Sequence, residues 1–155
     1  MSEHIHGVMV KELTTHPDER GFFREIIRST DDFFEEGFGQ WSYSFMHHGV
    51  IKAWHIHQKQ VDWWFVPVGA LKLVIHDMRP DSPTYHMTEE FLMGEMYDPI
   101  VVKIPPGVAH GCKVIGREAL LFYITSRTYD PSDEGRIPYD DPEIGYDWLK
   151  GPDIK

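Results

Sequence analysis

The feature that most constrains the fold is the stretch over residues 49–69, Gly-Val-Ile-Lys-Ala-Trp-His-Ile-His-Gln-Lys-Gln-Val-Asp-Trp-Trp-Phe-Val-Pro-Val-Gly. Two histidines, His55 and His57, stand one residue apart in apolar company, and Asp62 follows. Side chains on a strand alternate between faces, so both rings point the same way. A second segment, Ile104-Pro-Pro-Gly-Val-Ala-His110, ends a short buried run at two prolines and brings in a further histidine. Proline cannot continue a strand ladder, so the chain must turn there. Chemistry-bearing side chains on one strand face, with another from a facing strand, predict a site inside a β-structure.

The rest of the chain carries the same signature. Alternating or β-rich runs fall at residues 7–13, 21–28, 40–46, 70–78, 85–94, 100–104, 111–115 and 118–125. Turn residues separate them, including Arg79-Pro-Asp-Ser-Pro83 and a turn expected at Gly116. Residues 14–20 read as a polar loop, and residues 29–39 can hold one short helix capped by Ser29, Thr30 or Asp31. In residues 40–46, Trp41, Tyr43 and Phe45 share one side. Of the pair Trp63 and Trp64, one is expected inside and one outside. From Tyr129 the chain turns irregular, with Tyr139, Ile144, Tyr146 and Trp148 to pack it down. Many short strands between turns predict an all-β sandwich or barrel with one or two short helices. Residues 1–155 are read as a single domain, with no repeat or linker.

Composition narrows the function classes. Hydrophobic content is 41% and aromatic content 14%, enough for a packed core. The formal net charge of −10 disfavours nucleic acid and anionic membranes as partners. It leaves room for a phosphorylated ligand, which needs only a few placed Arg or Lys. Cys112 is the lone cysteine, so no internal disulfide forms. No apolar run approaches the ~18 residues of a membrane helix. The N-terminal residues lack the pattern of a signal peptide. A cytoplasmic location is the expectation.

Several constellations carry chemistry. His55, His57, Asp62 and His110 offer three imidazoles and a carboxylate, a set suited to a divalent metal. The same histidines can instead contact a ligand or satisfy one another in a polar core. His55 oriented by a carboxylate can act as a general base near neutral pH. These two readings compete, because a metal-bound ring nitrogen cannot also take a proton. Arg20, Arg24, Arg28 and Lys52 can grip a diphosphate or simply carry surface charge. Tyr123 and Tyr129 can serve as a general acid or sit as satisfied phenols. Cys112 reads as a small buried residue.

These residues match known patterns. The spacing of Gly49, His55, His57, Asp62 and Gly69, with Pro105, Gly107 and His110, resembles the two signature motifs of the cupin barrels, double-stranded β-helix jelly rolls. Over nearly its whole length the chain resembles the dTDP-4-dehydrorhamnose 3,5-epimerases. The resemblance rests on Asp18-Glu-Arg-Gly-Phe-Phe-Arg-Glu25, Gln40-Trp-Ser-Tyr-Ser44, Gly49-Val-Ile-Lys-Ala-Trp-His55, Arg79-x-x-Ser-Pro-Thr84, Ile104-Pro-Pro-Gly-Val-Ala-His-Gly111, Tyr129-x-Pro-x-x-Glu134 and Asp141-Pro-x-Ile-Gly-x-Asp-Trp148.

The resemblance implies an isomerase acting on a nucleotide-diphosphate 4-keto-6-deoxy sugar, in polysaccharide or deoxysugar biosynthesis, with no cofactor required. It implies His55 as base, Asp141 as its orienting partner, Tyr123 as acid and Tyr129 as second candidate. Asp140 and Asp147 are neighbouring acids open to the same role as Asp141. Arg20 would hold the diphosphate, with Lys52 assisting, and Glu25, Gln40 and His110 would line the substrate site. A homodimer is also implied. One position departs: where the family has a lysine that can stabilise the enolate oxygen, this chain has Asp62. An anion there opposes enolate formation. With the extra His57, the change completes the set His55, His57, Asp62 and His110 for a divalent metal. A metal-dependent cupin enzyme and a non-catalytic sugar-binding cupin are therefore the alternatives.

Overall fold

The computed structural model describes residues 4–152. In chain order the strands are β1 (Met9–Glu12), β2 (His16–Asp18), β3 (Gly21–Phe23), β4 (Gln40–His47), β5 (Ile51–His57), β6 (Asp62–Asp77), β7 (Thr88–Gly94), β8 (Ile100–Ile104), β9 (Val108–Thr125) and β10 (Glu134–Arg136).

The two long strands, β6 and β9, organise the molecule. They run antiparallel along their lengths, with register shifts between Phe65 and Val68 and between Gly69 and Leu71. The shifts bend both strands, so each half of each strand takes different neighbours. The first half of β6 pairs with β8, and the second half with β7. The first half of β9 pairs with β5, and the second half with β4. β1 extends the sheet beyond β8, and β10 beyond β5. The result is two facing layers, β1-β8-β6-β9-β4 and β7-β6-β9-β5-β10, a jelly-roll barrel of the cupin kind.

Gly69 sits at the bend with φ +86°, and a Cβ there would lie 1.9 Å from the Glu118 carbonyl oxygen. Only glycine fits that crossing. Gly116 does not make the expected turn. Residues 111–125 belong to the continuous strand β9, and Gly116 is where its backbone passes close to Ala70.

Around the start of β6 both faces of the sheet are covered, and this decides where the tryptophans go. The barrel interior holds Trp64, Leu71, Leu73, Ile75, Val102, Ile104 and Val114. A second cluster puts Trp63, Phe65 and Val101 under Leu13, Phe33 and Phe34. The Trp63 indole donates to the Phe33 carbonyl at 3.0 Å. So Trp63 and Trp64 are both buried, on opposite faces, where one was expected outside. A third cluster seats Ile144 and Trp148 of the C-terminal segment on Trp54, Val74 and Ala109.

The N-terminal third departs most from expectation. The helix expected over residues 29–39 is a single 3-10 turn, Asp32–Phe34, with no side-chain cap from Asp31. The Asp31 carboxylate instead binds Lys11 at 2.7 Å and the Arg28 N–H at 2.8 Å. β2 and β3 pair only with each other, making a small hairpin from part of the expected loop. Phe22 and Phe23 on it are exposed, as are Trp41, Tyr43 and Phe45 along β4. Among the described residues no helix is long and apolar enough to cross a membrane.

Candidate active site

Strand alternation aims one set of side chains into the barrel: Ser44 and Met46 from β4, His55 and His57 from β5, Asp62 and Trp64 from β6, and His110, Cys112, Tyr123 and Thr125 from β9. They line a cavity of about 240 Å³, to which Tyr129, Asp130 and Glu134 also contribute.

β5 and β9 place His55 opposite His110 in register. Their rings are stacked with centroids 6.3 Å apart, and His57 stacks on His110 at 5.7 Å. The turn after β5 is pinned by Asp133, whose carboxylate accepts the N–H groups of Gln58, Lys59 and Gln60 at 3.1, 3.0 and 3.1 Å. That clamp draws β10 against β5. Glu134 then lies across from His57, and its Oε1 is 3.1 Å from His55 Nδ1. An ionised carboxylate only accepts, so Nδ1–H of His55 faces Glu134 and Nε2 is left for the cavity.

His110 is governed by burial. Its Nδ1–H donates to the Val108 carbonyl at 3.2 Å, which leaves Nε2 unprotonated. Burial pushes its pKa down to about 4, against the opposing pull of the Asp62 charge. Asp62 accepts from the Gln60 amide at 2.8 Å and from the Trp64 indole at 3.2 Å. Lys52 on β5 donates across the cavity to Ser44 on β4 at 3.1 Å, and Gln40 accepts the Tyr129 N–H at 2.9 Å. Tyr123 stands opposite Trp64 in register. Burial pushes the Cys112 thiol up to about 11, so it stays protonated.

The cavity thus brings together His55, His57, Asp62, His110, Tyr123, Tyr129, Gln40 and Lys52. It does not include Asp141. The segment carrying Asp141 packs on the outer face of the β5–β6–β9 layer through Ile144 and Trp148. There Asp141 lies near His76 and accepts the Glu143 N–H at 2.8 Å. The carboxylate on His55 is Glu134. Arg20 and Glu25 are also outside. Arg20 pairs with Asp18 at the tip of the β2–β3 hairpin, and Glu25 pairs with Arg28. Both are exposed. The four-residue metal set is reduced as well. Donor atoms of His57, Asp62 and His110 lie within 4.8 Å of one another, and His55 falls outside that group.

Sequence reasoning missed Glu134, Asp133 and Gln60 as site residues. Tyr129-x-Pro-x-x-Glu134 was visible as a segment, but nothing local in it reveals a strand that pairs with β5. Gln60 lay inside the central stretch, two residues before Asp62, where parity alone would have placed it on the same face.

The barrel, with a carboxylate-held histidine facing its cavity, is a jelly roll of the cupin class. The family model described as dTDP-4-dehydrorhamnose 3,5-epimerase matches residues 2–155. The chain is 47% identical over 147 residues to the spore coat polysaccharide biosynthesis protein SpsL of Bacillus subtilis, covering 93% of this chain and 96% of that one. It superposes on the dTDP sugar isomerase of Desulfovibrio desulfuricans G20 with a TM-score of 0.88 and 27% identity, covering 96% and 94% of the two chains. The Legionella pneumophila enzyme RmlC, solved in complex with dTDP-4-keto-L-rhamnose, superposes with a TM-score of 0.85 and 28% identity over 100% of this chain and 85% of that one. The chain belongs to the dTDP-4-dehydrorhamnose 3,5-epimerase family, and by that membership it is an isomerase-type enzyme.

Proposed function

We propose that this chain epimerises a nucleotide-diphosphate 4-keto-6-deoxy sugar next to its ketone. The observation that carries the reading is His55, held by Glu134 and presenting Nε2 to a cavity whose other wall bears Tyr123. The ketone at C4 acidifies the neighbouring C–H bonds. His55 Nε2 removes such a proton, giving an enolate, and the imidazolium formed is stabilised by Glu134. A proton returned to the same carbon from the opposite face inverts it. Tyr123 is the acid in this scheme, and Tyr129 at the cavity mouth is the second candidate. Lys52, Gln40 and His110 contact the substrate, and the acid–base cycle consumes no cofactor. The name of the relative SpsL, a spore coat polysaccharide biosynthesis protein, supports a role in polysaccharide biosynthesis, and a cytoplasmic location fits a nucleotide-linked substrate.

A homodimer belongs to this reading. Tyr43 is 71% exposed and Trp41 63% exposed on β4, which among the described residues pairs on one side only. Exposed aromatics along an open strand edge favour a second copy. If Arg20 and Glu25 take up the diphosphate, they do so in the partner's cavity, since they stand clear of their own. Tyr43→Glu is expected to give a monomer by light scattering, and an unchanged mass would remove β4 from the interface.

The test is NMR of dTDP-4-keto-6-deoxyglucose incubated with the protein in deuterated water. Deuterium is expected at C3, C5 or both, and His55→Ala should abolish it. Binding of the sugar with no exchange at either carbon would overturn the enzymatic reading and favour a sugar-binding protein.

A further inference from the structure

We infer that His57, Asp62 and His110 form a binding site for a first-row divalent cation such as Co²⁺, Zn²⁺ or Fe²⁺, set in the cavity wall beside the catalytic histidine. The donors converge within 4.8 Å, and their chemistry, two imidazoles and a carboxylate, is that of a facial triad. Cation-to-ligand bonds of about 2.0–2.2 Å put neighbouring donors about 3–4 Å apart, so modest side-chain movement closes the set.

The hydrogen bonding around the donors is arranged for a cation. His110 gives its Nδ1–H to the Val108 carbonyl, so its Nε2 lone pair faces the Asp62 carboxylate at 3.9 Å. Two acceptors opposed in a buried site repel, and a cation between them reverses the sign. A backbone carbonyl on the outer nitrogen is the partner that fixes a ligating tautomer. His57 differs: its buried Nδ1 has no hydrogen bond among the described residues and stands 3.7 Å from the Asp133 carboxylate, so its tautomer is left open to a ligand on Nε2. The gap between His57 and Asp62 is now bridged by the Gln60 amide nitrogen, 3.3 Å from His57 Nε2 and 2.8 Å from Asp62 Oδ1. The positive end of a neutral amide thus occupies the place of a cation, and rotation of that one side chain vacates it.

Resting on the epimerase reading, the site supplies what Asp62 takes away. A cation held by His57, Asp62 and His110 would offset the Asp62 charge and supply positive charge to an enolate oxygen formed in the cavity. His55 stays outside the set and remains free to act as base.

The experiment is elemental analysis of the purified protein, then titration of the EDTA-treated protein with Co²⁺, read by visible absorption and calorimetry. One Co²⁺ per chain is expected. Affinity should fall at least ~100-fold in His57→Gln and Asp62→Asn, and stay unchanged in His55→Gln. Should Asp62→Asn fail to fold, His57→Gln at the cavity wall decides. No Co²⁺ or Zn²⁺ binding at millimolar concentration, or undiminished binding by His57→Gln, would overturn the site. Deuterium exchange by protein free of metal would overturn its catalytic role and leave the epimerase intact. Metal binding without any exchange would overturn the epimerase reading and leave the site.

Discussion

Replacing Glu134 by Gln tests the carboxylate assignment most directly. The change keeps the side chain's size and an oxygen acceptor but removes the charge that stabilises the His55 imidazolium. A charge-assisted hydrogen bond is worth about 1.5–3 kcal/mol. His55 is about one-third exposed and Glu134 17% exposed, so solvent screens part of that. A loss of about 1–2 kcal/mol from the transition state remains, which is about 5–30-fold in kcat. KM should change little, because the charge matters only once the proton has moved. Asp141→Asn is the matched control. Its carboxylate caps a turn outside the barrel, so kcat should stay at the wild-type value. The assay is initial-rate solvent deuterium incorporation followed by NMR at saturating and limiting substrate. If Asp141→Asn slows the reaction and Glu134→Gln does not, the assignment of Glu134 is wrong.

Three further substitutions probe the scaffold. Trp148 is 2% exposed and packs on Trp54 with ring centroids 5.0 Å apart; Trp148→Ala should cost about 3–5 kcal/mol in urea unfolding. A cost below about 1 kcal/mol would mean that the C-terminal segment is not docked. Gly69→Ala forces a Cβ into the Glu118 carbonyl at a positive φ and should lose at least ~3 kcal/mol, so near-native stability would contradict the crossing. Burial disfavours ionisation of Asp77, but hydrogen bonds from Arg79, Ser82 and Thr84 outweigh it and hold its carboxyl well below the usual range. Its folded pKa is therefore depressed, so its stabilisation is full above about pH 4 and is lost as pH falls further. Acid titration of wild type should show a steeper loss below pH 4 than Asp77→Asn; superimposable curves would rule out that coupling.

The barrel was legible because its signals are local. Alternation fixed the faces of β4, β5 and the ends of β6 and β9, and so gathered His55, His57, Asp62 and His110 correctly in one interior. Gly116 misled because a glycine at a close strand crossing looks, in sequence, like a glycine in a turn. The tryptophan pair misled because a two-state rule of inside or outside fails when both faces of a sheet are covered. Asp141 misled for another reason. The C-terminal segment holds acids at Asp133, Glu134, Asp140, Asp141 and Asp147, and sequence cannot say which residues a non-local strand will bring home. Pairing of β10 with β5 chooses Glu134, and packing of Trp148 carries Asp141 to the opposite face.

That same pairing bears on a conflict present in the sequence. His55 stood both as a base and as a metal ligand, roles that one ring nitrogen cannot fill together. Because Glu134 takes Nδ1 of His55, the ring is oriented for proton transfer. Because Asp62 stands on the facing layer, bonded by Gln60 and Trp64, its carboxylate groups with His57 and His110 instead. A buried carboxylate is costly unless something answers its charge. Here two neutral donors bond it, the Gln60 amide and the Trp64 indole. The negative charge therefore has no full counter-ion among the side chains bonded to it. A reaction that builds negative charge on an enolate oxygen would be opposed by such a residue, unless a cation is bound there as well. Asp62→Lys is for this reason the informative exchange. It should abolish Co²⁺ binding and, if the lysine reaches the ketone oxygen, make deuterium exchange insensitive to EDTA. Exchange that remains EDTA-sensitive in Asp62→Lys would show that the metal acts somewhere other than this site.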